Sequence, residues 1–143
     1  MNTLQNVSLL RRLGAMIYDT VLAGFSVVIV SSLPATAIQS FTGYRVPDAI
    51  MALLYLLLTY GFFTWFWTHG GQTLGMRAWK VRVVTEKDEP LNQQQATSRF
   101  LWAIASWASL GLGFVVSLFD KDKLAWHDRY SHTKLIFVPK KST

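Results

Sequence analysis

Three long apolar blocks decide what this chain can fold into. Leu13 to Leu33 is a run of 21 residues with one charge, Asp19; Ala49 to Trp67 is a run of 19 with none; Phe100 to Phe119 is a run of 20 with none. A soluble chain of this size distributes its apolar residues at period 2 or 3.6 and interleaves charges on the far face. Blocks of this kind instead match a hydrocarbon layer of roughly 30 Å, which takes about 20 helical residues at roughly 1.5 Å each. Charged residues make up only 15% of the chain, against about 25% in an ordinary soluble domain. The sequence therefore predicts an all-α membrane protein in a single domain over 1–143. It has two transmembrane helices, a third broken apolar segment that re-enters or spans, and a small cytoplasmic β element.

The boundaries follow from local chemistry. Helix 1 is expected over about 9–33, ending at Pro34, whose ring cannot continue the ladder and pushes the preceding residue out of the α region. A nearly neutral loop, 34–48, leads to helix 2 over about 49–67. Pro47 and Asp48 suit its first turn, and Trp65 and Trp67 suit the headgroup level at its end. The polar segment 68–99 holds a β-branched alternating run, Lys80 to Thr85, that reads as a strand. A turn follows at Glu86 to Pro90, and Asn92 with Gln95 forms a capping-box pattern. The third apolar segment, 100–119, contains Leu110-Gly111-Leu112-Gly113, which weakens a helix at its middle. The tail, 120–143, contains a second strand pattern, Thr133 to Val138, whose only partner within the chain is the first strand.

Charge sets the expected orientation. The chain carries a formal charge of +6, concentrated in the connecting segments. Arg11 and Arg12 precede helix 1, five Lys/Arg lie in 68–99, and the first loop has Arg45 alone. This bias places the N-terminus and segment 68–99 in the cytoplasm of a bacterial cell, with the protein in its cytoplasmic (inner) membrane. The same rule favours a third segment that dips in and returns, because the tail carries Lys121, Lys123, Arg129, Lys134, Lys140 and Lys141. A cleaved leader is disfavoured despite Ala35-Thr36-Ala37, since the apolar stretch is too long and holds an acid. The lipid bilayer is the expected environment, with a homo-oligomer or a larger membrane protein as partner. No basic stripe interleaved with aromatics points to nucleic acid.

Asp19 is the most informative side chain. A carboxylate in an apolar helix costs roughly 2.5–3.5 kcal/mol at the bilayer centre on insertion scales, so it is paired, neutralised or beside a wet cavity. Arg12 lies seven residues earlier on the same face, about 10.5 Å toward the helix start. A third group or water between them is expected, and Asp128 is placed to meet Arg12 or Arg11 at the same level. Arg12 is expected to bridge Asp19 and Asp128 through its planar fork of donors. The bland reading of Asp19 is a polar clamp that docks helix 1. The sharper one is a cation or proton site. His127 beside Asp128 is a weak relay candidate, because chain neighbours on a helix seldom face each other. His69 and His132 add no metal-ligand spacing, and cysteine is absent. Gly70 to Gly75 lacks the Gly-Lys-Ser/Thr ending of a phosphate loop. No metal, cofactor or catalytic set is expected, and the chain reads as a non-enzyme.

These residues carry a family resemblance. Arg11-Arg12-Leu13-Gly14-Ala15-Met16-Ile17-Tyr18-Asp19, then Gly71-Gln72-Thr73-Leu74-Gly75 with Val81-Arg82-Val83-Val84, then Phe119-Asp120-Lys121 with Trp126-His127-Asp128, resemble the RDD family of membrane proteins. That family is named for one arginine and two aspartates. The resemblance implies Arg12, Asp19 and Asp128 as the ligand or ion-binding set, with Arg11, His127, Gln72 and Thr73 in support. It also implies transport of an ion or small solute, cation/proton exchange included. Three positions depart from the pattern: Met76 stands where lysine is common, Lys80 where glycine is common, and Ser131-His132 where Ala-Gly often precedes the last strand.

Overall fold

A computed structural model describes residues 7–121 and 124–139. The first six residues of the leader, and Lys123, Lys140 and Lys141 of the basic tail, lie outside the described residues. The order is α1 (Leu9–Thr42), α2 (Asp48–Thr68), α3 (Leu74–Ala78), β1 (Val81–Thr85), α4 (Gln93–Ala108), α5 (Leu112–Phe119), α6 (Trp126–Tyr130) and β2 (Thr133–Phe137).

α1 and α2 are long and apolar enough to cross a membrane, and only 17% and 6% of their apolar windows are buried within the chain. A soluble core helix would be mostly covered. Here Ile17, Val21, Phe25, Leu53 and Leu57 all face outward, an apolar surface that only lipid or other protein can cover. α2 begins at Asp48, one residue before its expected start.

Helix 1 differs from the expectation that it ends at Pro34. It runs through Pro34 to Thr42 and stops at Gly43, whose left-handed backbone turns its N–H onto the Gln39 carbonyl. One proline removes one ladder donor, which leaves the Val30 carbonyl without its partner, and the helix of 34 residues absorbs that single loss. At 34 residues α1 is about 51 Å long, so the loop predicted at 34–48 contracts to 43–47.

β1 and β2 pair antiparallel, Val81 opposite Phe137 and Thr85 opposite Thr133. The chain from Thr85 to Thr133 therefore leaves this two-stranded sheet and returns to it. On the way, α4 starts at the capping box formed by Asn92 and Gln95. The apolar segment breaks at Ser109 to Gly111, and α5 folds back onto α4. Gly113 makes this possible, because a Cβ there would collide with the Ser106 hydroxyl.

The core sits at the sheet end. Val81 and Val83 are fully buried, and around them pack Val7, Ala15, Trp67, Met76, Leu91, Ala96 and Phe100. α2 packs against both α1 and α4, whereas α1 and α4 do not pack along each other. Tyr60 and Thr97 hydroxyls meet at 2.7 Å to hold α2 to α4, with Gln93 donating to Tyr60 at 3.1 Å.

Candidate functional site

The buried stripe of α1 is Arg12, Ala15, Asp19, Ala23, Val27 and Ser31, the three-to-four residue spacing of one helix face. Both charged candidates of helix 1 thus point inward. They do not share a partner. The Asp19 carboxylate accepts from the Thr73 hydroxyl in a very short contact and from the Gly75 backbone N–H at 2.8 Å. Thr73 is also the N-cap of α3, accepting from the Met76 N–H at 3.2 Å. Asp19 is 3% exposed and closes off the start of α3, where free backbone donors need acceptors. The close approach requires glycine at 75, since a Cβ would lie 2.5 Å from the Ala15 carbonyl and 2.8 Å from the Asp19 carboxyl.

The expected bridge from Arg12 to Asp19 is therefore corrected. Arg12 pairs with Asp128 at 3.4 Å, and no ion pair joins it to Asp19. The physical reason is the two-turn rise between them, combined with a nearer set of donors on α3. Asp128 is wholly buried and is held chiefly by Arg99, at 2.5 Å to Oδ1. Its Oδ2 takes the Arg12 contact and the Ala125 N–H at 3.2 Å. Arg99 also donates to the Thr133 hydroxyl at 2.7 Å and lies over the Trp67 ring, 5.3 Å from its centroid. One carboxylate thus ties α1, α4 and α6, and Arg99 carries the tie on to β2.

Sequence reading counted Arg99 only as a loop charge. A findable signal existed: Ala96, Arg99 and Phe100 share the buried face of α4, so a cation sat at an apolar-face position. The supporting candidates scatter. Arg11 reaches the Trp79 carbonyl at 3.4 Å and stacks over Phe137 at 4.4 Å. Gln72 donates to the Val81 carbonyl at 2.7 Å, and Thr73 serves Asp19. His127 does approach its neighbour, with Nε2 at 3.5 Å from Asp128 Oδ1.

Electrostatics at α6 follow burial and these pairs. Burial pushes the His127 imidazole down to about 4; the pull of Asp128 is outweighed by burial with Arg99 and Arg12. Burial pushes the Asp128 carboxyl up, but Arg99, His127 and Arg12 more than offset it and hold it below the ordinary range. At neutral pH the cluster is two guanidiniums, one carboxylate and a neutral imidazole.

These charges form one end of a cavity of about 640 Å³ between α1, α2 and α4. Arg12, Asp19, Arg99, His127 and Asp128 all line it, and the rest of its wall is almost wholly apolar, from Ala23 and Gly24 on α1 to Tyr55 and Phe63 on α2.

Two long lipid-suited helices around such a buried charged end define a small helical membrane protein. The RDD family model matches residues 7–132, and the chain belongs to the RDD family. No curated protein and no solved structure matches it.

Proposed function

We propose that this protein is a non-enzymatic unit of an ion or small-solute transport assembly, and that the cavity between α1, α2 and α4 is its solute site. The observation that supports this reading is the cavity itself, which brings Asp19, Arg12 and Asp128 to one wall with Arg99 and His127. Asp19 is the proposed cation or proton acceptor. To load, it must release Thr73 and Gly75, which couples occupancy to the position of α3. Two helices and a hairpin enclose no wet path across a bilayer alone, so the unit works as a homo-oligomer or with a larger membrane protein. Its proposed home is the bacterial cytoplasmic membrane, N-terminus inside, by the basic bias of its connecting segments. The β1–β2 pairing supports a third segment that returns to the cytoplasmic side.

The second reading is an accessory or assembly module, favoured because Asp19 already has two donors and needs no ion. Reconstitution of the full chain with an internal pH-sensitive dye separates them. Cation-driven proton movement that vanishes in Asp19→Asn is expected. No movement, together with stoichiometric co-purification of one large membrane protein, would sink the transport reading. Orientation is tested by labelling Ser40→Cys, Lys87→Cys and His132→Cys. External labelling of His132→Cys while Lys87→Cys stays protected would defeat the returning segment.

A further inference from the structure

The charged end of the cavity has more donors than acceptors. Asp128 is the carboxylate shared by Arg12 and Arg99, and both of its oxygens are engaged. The Arg12 side chain is only 9% exposed, yet among the described residues its one hydrogen-bond partner is Asp128, at 3.4 Å. Two more buried donors, Trp67 Nε1 and Arg99 Nε, find no acceptor among the described residues. Both residues line the cavity, with these two nitrogens buried behind its surface. Buried donors normally find acceptors, and two guanidiniums against one carboxylate leave a net positive charge. Asp19 does not cancel it, because its oxygens are turned onto Thr73 and Gly75. The chemistry that would match this end is an anion rich in acceptor oxygens.

Beyond that end the cavity is apolar and follows α1 from Arg12 to Gly24. Twelve residues of helix measure about 18 Å, somewhat more than half of the roughly 30 Å hydrocarbon core. α1 and α4 do not pack along each other, which leaves the groove between them open to its side.

We infer that this groove holds an anionic phospholipid, its phosphate at Arg12 beside Trp67 and Arg99, and one acyl chain lying along α1 toward Gly24. Arginine suits a phosphate because its planar fork offers paired donors. The inference rests on the cavity being a ligand site, and it names that ligand. Binding is read without any ion gradient, so it stands or falls separately from transport.

The test is native mass spectrometry of the full chain in detergent with phosphatidylglycerol, with phosphatidylcholine of the same acyl chains, and with inorganic phosphate. One phosphatidylglycerol per chain is expected to be retained at least tenfold over phosphatidylcholine. Arg12→Gln should abolish that preference. Gly24→Phe should reduce retention at least tenfold; a Cβ at Gly24 meets nothing within 4 Å, so the ring enters the groove without touching the charged end. Should Arg12→Gln fail to fold, Gly24→Phe decides alone. Equal retention of both lipids, retention unchanged in Gly24→Phe, or inorganic phosphate displacing phosphatidylglycerol at equal concentration overturns the proposal. So does a dimer without lipid that Gly24→Phe dissolves, because a second copy would then be the occupant.

Discussion

If Asp128 is the hub, its loss must cost more than loss of either arginine, and the two arginines must rank by distance. At an effective dielectric of about 20, unit charges separated by the Arg99 and Arg12 distances attract by about 7 and about 5 kcal/mol gross, before desolvation. Most of that is offset by removing the charges from water, and breaking a buried pair by deleting one partner costs about 3–5 kcal/mol. Asp128→Asn strands two guanidiniums and should sit at the top of that range. Arg99→Gln should follow, since it also loses the Thr133 contact, and Arg12→Gln should cost least. Unfolding of each variant by denaturant titration in one detergent measures the ranking. The stronger check is a pair of double-mutant cycles. Arg99→Gln with Asp128→Asn should be non-additive by about 1–3 kcal/mol, while Arg12→Gln with Asp19→Asn should add within about 0.5 kcal/mol. Coupling above 1 kcal/mol between Arg12 and Asp19, with additivity at Arg99 and Asp128, would refute the assignment of partners.

Other outcomes follow from the same geometry. Asp19→Asn should cost about 1–2 kcal/mol, the range for a buried hydrogen-bonded pair of this kind; a wild-type unfolding midpoint would show that α3 is not held by this carboxylate. Gly75→Ala should destabilise by about 1–3 kcal/mol, because the added carbon overpacks the α1–α3 contact. Acid should destabilise through His127: its folded value near 4 lies below the ordinary value near 6.5, so the unfolded chain takes up the proton first. That contribution is complete above about pH 6.5, falls between about 6.5 and 4 by about 3 kcal/mol in all, and levels off below. His127→Gln should flatten this window, and an unchanged pH profile would remove His127 as the cause. Lys80 and His132 hold positive φ angles of 57° and 53°, a conformation that costs non-glycine residues roughly 1–2 kcal/mol. Lys80→Gly and His132→Gly should each raise stability by about 0.5–1 kcal/mol after glycine's own entropy cost, and a lowered unfolding temperature in both would contradict this.

Much of the architecture was legible because the strongest signals were local. Uninterrupted apolar length marked α1 and α2, β-branched alternation marked β1 and β2, and Asn92 with Gln95 marked the start of α4. Pro34 misled because it removes one donor only, a loss that a long membrane-type helix can absorb. α3 was invisible for a related reason. Five residues have too little propensity to nucleate, and this turn is held by Asp19 from 54 positions away. At the site, the residue types were readable and the pairings were not. Periodicity put Arg12 and Asp19 on one face but said nothing of Thr73, Gly75 or Arg99 arriving from other elements. The two departures at Lys80 and His132 fall on positive φ angles directly before the strands, where glycine would be unstrained.

The position of the polar contacts explains why a cavity exists at all. The links that bind α1 to α4 run through Asp128 at the sheet end, where Arg12 and Arg99 converge and where the apolar core gathers around Val81 and Val83. Farther along, α1 contributes only small residues, Ala23 and Gly24, to the cavity wall. Lipid supplies no hydrophobic force to draw two apolar helices together, so close association there depends on packing and polar contacts. With neither available, α1 and α4 part and α2 remains as the floor between them. A buried ion cluster of this cost contributes little net stability; its consequence is geometric. It fixes one end of a cleft whose other end is free, and it leaves unspent donors at the fixed end. Arg12, Asp19 and Asp128 thus separate into two devices. Asp19 pins α3 to the first helix, and Arg12 with Asp128, completed by Arg99, sets the charge at the fixed end of the cleft.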